Sequence, residues 1–427
     1  MSRPKLEVAD VFRVAGQTYR DENAGHLSLQ QHKVMSAIEH CRTSVLGGHV
    51  LQCPECEHVQ VAYNSCRNRH CPKCQASSAK RWLEARQTEL LPVEYYHLVF
   101  SLPSELADLA YYNKDVMYGI LMKTAAQTLL TIAADKKHLG AQVGVTFVLH
   151  TWGSAMMHHP HVHGIVPGGG LSLNGKQWLS CKKGFFLPVR VLSRLFRRLY
   201  LARLSEAYQQ GKLQFFANTK TLADEHEFNA WLSKHRKMEW VVYAKRPFSG
   251  PDAVLRYLAR YTHRVAIANS RLVSMDKNTV SFRWKNYRVK ARCRQRVMQL
   301  SHDEFIRRFL LHVLPSGFHR IRHYGLVANA GRKRNLQQAR RLLNVPALET
   351  AVQEAAEVAK LDRTDPFICP KCHTPFCLNF HLPNLLTSTK ERVFMMENRM
   401  VVTYHGQSRQ VKIKATLQLP PTEIQSP

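Results

Sequence analysis

No stretch of about 18 consecutive apolar residues occurs in the chain, which is the length a membrane-spanning helix needs. No apolar stretch follows a basic N-terminal start either, so neither a membrane span nor a secretory leader is expected. The Gly-x-x-x-x-Gly-Lys-Ser/Thr pattern is missing, which argues against P-loop nucleotide hydrolysis. No internal repeat is found, which argues against a solenoid. Acidic residues are scarce: 31 Asp and Glu stand against 61 Lys and Arg, a formal net charge of +30. That excess exceeds what solubility requires and has the sign that attracts polyanions, so nucleic acid is the expected partner and a membrane is not. The eleven cysteines are an odd number and six fall in Cys-x-x-Cys pairs. Such spacing suits metal sites better than disulfides, and a reducing, cytoplasmic location follows.

With 427 residues, 45% of them hydrophobic, the chain can fold as two or three domains. Residues 28 to 42 read as a helix capped by Ser28, with Val34, Ala37, Ile38 and Cys41 on one face. A Cys/His-rich stretch follows, then a helix over 76 to 91. Pro92 closes a unit expected to span 1–90. From 91 to 330 strands and helices mix without βαβ alternation, which predicts an α+β domain on an antiparallel or mixed sheet. Strands are expected at 95–101, 143–151 and 161–166, and helices at 191–203 and 252–263. The remainder, 331–427, reads as a helical region (347–360) with a second small cysteine cluster and a disordered Pro/Gln-rich tail.

Cys53, Cys56, Cys71 and Cys74 form two Cys-Pro-x-Cys frames separated by fourteen residues. Two such turns can aim four thiolates at one tetrahedral ion, so structural zinc is expected there. Cys41, Cys66, His49, His58 and His70 lie close by and leave a second ion or an exchanged ligand open. Arg67, Arg69 and Lys73 suggest that this unit touches DNA. Half of the same frame returns at Cys369 and Cys372, with Cys377 and His373 or His381 near it. A further zinc there stays open.

His161 and His163 flank Val162 in a strand, and the two-residue period aims both imidazoles at one face. Two nitrogens on a rigid strand can hold a divalent cation, Mg2+ or Mn2+, with positions left for a substrate oxygen. Tyr257 and Tyr261 fall four apart on the helix expected at 252–263, among Arg256, Arg260, His263 and Arg264. A tyrosine hydroxyl so placed can attack phosphorus, although Val254, Tyr257, Leu258 and Tyr261 would equally make an apolar core stripe. Between Asp276 and Asp303 there is no acidic residue but eight Lys or Arg. Residues 280–292 read as a hairpin turning at Lys285-Asn286, its exposed face offering Arg283, Lys285, Arg288, Lys290 and Arg292 to phosphates. Arg307, Arg308, Arg320 and Arg322, beside aromatics, would extend a single-strand groove.

Four segments in order, CRNRHCPKCQ, HHPHVHGIVPGGG, YLARYTHR and RFLLHVLPSGFHRIRHYGLVAN, resemble the rolling-circle insertion-sequence transposases of the HUH endonuclease superfamily, the two-tyrosine type with an N-terminal zinc-binding domain. The resemblance runs from about residue 26 to 330. It implies an antiparallel palm carrying the histidines, His161 and His163 as metal ligands, and Tyr257 and Tyr261 as nucleophiles on single-stranded element ends. A third polar ligand is implied too, with His97 and His159 as candidates. A plasmid or phage replication initiator or relaxase shares this chemistry. A zinc-dependent DNA-binding regulator, with the same residues purely structural, is the alternative of a different class.

Overall fold

A computed structural model describes residues 6–87, 89–245, 265–286, 294–345, 368–382, 392–396, 399–404 and 407–412. The chain opens with helix α1 (Val8–Glu22), which the sequence reading did not anticipate, and α2 (Leu29–Glu39). Helix α2 starts where its capping box dictates: the Ser28 hydroxyl accepts from the Gln31 N–H at 3.2 Å, and the Gln31 side chain accepts from the Ser28 N–H at 2.9 Å. Strands β1 (Gly48–Gln52) and β2 (Val59–Tyr63) then make an antiparallel hairpin, followed by α3 (Gln75–Gln87).

Next come β3 (Tyr95–Ser101), α4 (Ala107–Tyr112), α5 (Lys114–Ala134), β4 (Ala141–Gln142), β5 (Gly144–Trp152), β6 (His158–Pro167), β7 (Gly169–Ser172), β8 (Trp178–Ser180), α6 (Val189–Gln209), α7 (Glu225–Lys237) and β9 (Val242–Lys245). After them follow β10 (Leu272–Met275), β11 (Thr279–Lys285), β12 (Gln295–Ser301), α8 (His302–Leu311), β13 (Ile321–Gly325), α9 (Arg332–Leu342) and β14 (Cys377–Leu382). The central sheet has the order β13-β5-β6-β3-β9 and every pairing in it is antiparallel. This is the α+β arrangement expected from the unalternated element pattern.

One core covers a face of this sheet and a second lies among the N-terminal helices. On one face Leu98, Phe100, Phe147, Leu149, Val162 and Val166 pack against the buried sides of α5 and α6. Phe100 meets Phe196 edge-on at 5.0 Å. Gly164 leaves room for the Phe147 ring, since a Cβ there would lie 2.5 Å from it. The second core joins α1, α2 and α8 to β10 and β11. In it Phe12 stacks edge-on against Phe309 at 5.2 Å. It therefore links the first forty residues to residues beyond 265.

Helix α5, 21 residues long, is apolar enough by length and composition to cross a membrane, although polar residues such as Lys123 and Gln127 interrupt it. Of its most apolar part 61% is buried inside the protein, because it lies between the sheet and α6 and needs apolar residues on several sides.

Candidate metal centre and cysteine clusters

Strand alternation sends His159, His161 and His163 of β6 to one face and His158 and Val162 to the other. Val162 is fully buried in the helix-side core. His150 of β5 is the direct antiparallel partner of His161. Ring nitrogens of His150, His161 and His163 all lie within 4.8 Å of one another. His161 Nε2 and His163 Nε2 are 3.1 Å apart, the separation of two neighbouring nitrogens each about 2.1 Å from a shared ion.

The remaining nitrogens orient these rings. His161 Nδ1 lies 2.7 Å from the His159 carbonyl oxygen, so it carries the proton and donates, which puts the lone pair on Nε2, the nitrogen that faces the other imidazoles. His163 Nδ1 lies 2.8 Å from His97 Nε2 on the adjacent β3, the two rings stacked at 5.0 Å. Burial, with the nearby Lys245 charge second, pushes the His97 imidazole down to about 4. A neutral His97 can accept the His163 proton and so turn the His163 lone pair toward the group. His150, buried, stacks on Trp152 at 4.6 Å.

The third nitrogen thus comes from His150, and neither expected candidate occupies that place. His97 stands behind His163, and His159 contributes its backbone carbonyl to His161. The sequence does contain a signal, since His150 sits in an expected strand. Its partner across β5 and β6 is a matter of register, which only the folded sheet fixes.

The cysteines also group differently from expectation. The sulfurs of Cys41, Cys66, Cys71 and Cys74 form one quartet, and those of Cys53, Cys56, Cys369 and Cys372 form another. The expected quartet of Cys53, Cys56, Cys71 and Cys74 is corrected accordingly. The β1–β2 hairpin is the reason: Cys53 and Cys56 occupy its turn, and the five residues of β2 then carry the chain roughly 17 Å back along β1. Cys66 and the Cys71/Cys74 frame consequently reach the open end, where Cys41 waits after α2. In this quartet Cys41 Sγ and Cys66 Sγ each lie 3.6 Å from Cys74 Sγ. None of the described cysteines is in a disulfide. Four thiols converging in each place fit tetrahedral zinc.

Residues 11–102 match a family model described as "Transposase zinc-binding domain", and residues 144–335 match one described as "Putative transposase". The chain is 52% identical over 379 residues to "Putative transposase y4qJ" of Sinorhizobium fredii, covering 87% of this chain and 94% of that protein. It is 26% identical over 340 residues to the "Transposase for insertion sequence element IS801" of Pseudomonas savastanoi pv. phaseolicola, covering 78% and 79%. The chain belongs to the rolling-circle insertion-sequence transposases of the HUH type, with a zinc-binding domain. No solved structure matches it.

In this transposase Tyr257 and Tyr261 lie outside the described residues, as do Arg288, Lys290 and Arg292. Arg283 and Lys285 are exposed on β11, while Phe282 on the same strand is buried. The hairpin does not turn at Lys285-Asn286. Lys285 pairs with Gln295 and the Asn286 N–H donates to the Arg294 carbonyl at 2.9 Å, so the returning strand is β12. Several basic residues assigned to DNA from the sequence have partners within the fold. Arg69 donates to the Pro315 and Phe318 carbonyls, and Lys73 pairs with Glu7 at 2.7 Å. Arg307 and Arg308 both bind Glu304, and Arg322 lies over the Phe318 ring. A protein this basic can spend cations internally, and only contact geometry distinguishes the two uses.

Proposed function

We propose that this transposase cleaves and rejoins single-stranded DNA at element ends through a phosphotyrosine, with His150, His161 and His163 holding the divalent cation. The convergence of three imidazoles on one face of the central sheet carries this reading. When bound, Mg2+ or Mn2+ would supply Lewis-acid charge at the scissile phosphate. The chain's own residues do the rest. His97 and the His159 carbonyl fix the tautomers of His163 and His161, so that the three rings need little reorganisation to bind. The hydroxyl of Tyr257 or Tyr261 attacks phosphorus: a Tyr–O–P bond forms, the P–O3′ bond breaks, and the departing 3′ oxygen takes up a proton. Rejoining is the reverse attack by a 3′ hydroxyl, which conserves the bond energy without ATP.

Arg283 and Lys285, together with Arg288, Lys290 and Arg292, are proposed to hold the DNA backbone. Catalysis is assigned to residues 91–330, zinc binding to 1–90, and the Cys-x-x-Cys spacing suits action in the cytoplasm. The test uses labelled single-stranded DNA from an element end with Mn2+. The parent should form a covalent adduct, Tyr257→Phe and Tyr261→Phe should each retain part of the transposition activity, and the double variant should bind DNA but form no adduct. Phenylalanine keeps the ring, so a packing role predicts no change. An adduct in the double variant would place the nucleophile elsewhere, and its absence in the parent would favour a DNA-binding regulator.

A further inference from the structure

We propose that Cys53, Cys56, Cys369 and Cys372 hold a second structural zinc ion, which clasps the segment 368–382 onto the N-terminal hairpin. Two of these thiols lie outside both matched regions, 11–102 and 144–335, so the zinc-binding match does not account for the site.

The two halves of the site are built alike. The Cys53 N–H donates to the His58 carbonyl at 2.9 Å, and the Cys369 N–H to the Thr374 carbonyl at 2.9 Å, five residues on in each case. The N–H of Glu57 donates to the Cys53 carbonyl at 3.0 Å and that of His373 to the Cys369 carbonyl at 2.9 Å, four residues on in each case. Glu57 and His373 both take a left-handed conformation, φ 53° and 61°, at the same position after the second cysteine. Both frames read Cys-Pro-x-Cys. Such a turn points its two sulfurs the same way, and two facing turns enclose a tetrahedral position.

The sulfur spacing fits an ion better than a disulfide. Cys53 Sγ lies 3.2 Å from Cys372 Sγ, and Cys56 Sγ lies 3.5 Å from both Cys369 Sγ and Cys372 Sγ. A disulfide would need about 2.05 Å. Zinc–sulfur bonds of about 2.3 Å in a tetrahedron put sulfurs roughly 3.8 Å apart. The Lys371 N–H, 3.4 Å from Cys369 Sγ, helps to stabilise a thiolate.

The surrounding sheet gives the clasp its purpose. β14 pairs antiparallel with β1 from Gly48↔Leu382 to Gln52↔Cys377, completing the sheet β14-β1-β2. Among the described residues its apolar cluster has Val50 and Leu382 buried, with Val59, Val61 and Tyr63 partly buried. A metal ion held by thiols from both segments would fix this strand, which comes from a distant part of the chain, against the hairpin. Cys56 and Cys369 are 313 residues apart, so the ion would close a very long loop.

The experiment uses the full-length protein purified with zinc and needs no catalytic activity. Elemental analysis should find two zinc ions per chain. Replacing Cys369 and Cys372 by Ser should leave one, replacing Cys53 and Cys56 should leave one, and replacing all four should still leave one, because both pairs serve the same ion. In the unaltered protein, alkylation during gradual chelation should label these four thiols together and separately from Cys41, Cys66, Cys71 and Cys74. Two zinc ions in the Cys369→Ser, Cys372→Ser variant would overturn the proposal. So would loss of both ions only in the fourfold variant, or alkylation of Cys53 and Cys56 in step with Cys71 and Cys74.

Discussion

Strand β6 presents two sets of histidines that differ only in which side of the sheet they face. On the helix side, His158 has both nitrogens occupied: Nε2 accepts from the Tyr118 hydroxyl at 2.7 Å and Nδ1 donates to the Ala107 carbonyl at 3.0 Å. His312, whose ring lies 6.3 Å from that of His158, likewise bonds Thr151 through Nδ1 and Met156 through Nε2. Burial, ahead of neighbouring charges, pushes both imidazoles down to about 3. On the other side, His161 and His163 have one nitrogen fixed and turn the other toward His150. The same residue type, three or five positions along, is a neutral structural bridge on one face and a potential ligand on the other. What separates them is what the second nitrogen faces: a hydroxyl or a carbonyl on the helix side, other imidazoles on the opposite side.

That contrast can be broken most severely at the ligand face. Replacing His161 or His163 by Ala should reduce DNA cleavage by about two orders of magnitude or more while single-strand binding persists, because binding draws on many dispersed phosphate contacts. Cleavage assays and filter binding with the same Mn2+ preparation measure both; either variant cleaving at the parental rate would remove the cation from this face.

A finer division separates ligand from support. His150→Ala should impair cleavage nearly as much as loss of His161. His97→Ala should weaken metal affinity about 10- to 100-fold, with activity largely recovered at high Mn2+, as expected for a residue that only orients His163. Titration of cleavage against Mn2+ distinguishes them, and equal behaviour of the two variants would dissolve the distinction.

The smallest effect on cleavage is expected at His158. His158→Ala leaves the Tyr118 hydroxyl buried without its acceptor and should cost about 2 to 4 kcal/mol of stability, with metal affinity unchanged. Because the His158 and His312 pKa values lie below the ordinary imidazole value, the unfolded chain binds their protons first. Their stabilising contribution is complete above about 6.5 and is lost as pH falls from there toward about 3. Chemical denaturation across that window should show a shallower pH slope in His158→Ala than in the parent, and an unchanged slope would contradict the assignment.

The sequence alone determined what depends on neighbours along the chain. The Ser28 cap, strand β3, the alternation that puts His161 and His163 on one face, and the Cys-Pro-x-Cys turns are all local, since backbone geometry and side-chain period act over a few residues. The excess of positive charge is likewise a property of composition. Tertiary structure alone decided which distant groups meet. His150 joins His161 only because β5 and β6 pair in that register, and Cys53 faces Cys369 only because β14 lies against β1. The division of the cysteines into two quartets follows from the length of one hairpin, which no spacing pattern reveals until the strands are known to pair. Arg69, Lys73 and Arg308 showed the same limit: a cation's charge is written in the sequence, but whether it meets DNA or a carbonyl is settled by packing, because that depends on which carbonyls and carboxylates the fold brings within hydrogen-bond reach.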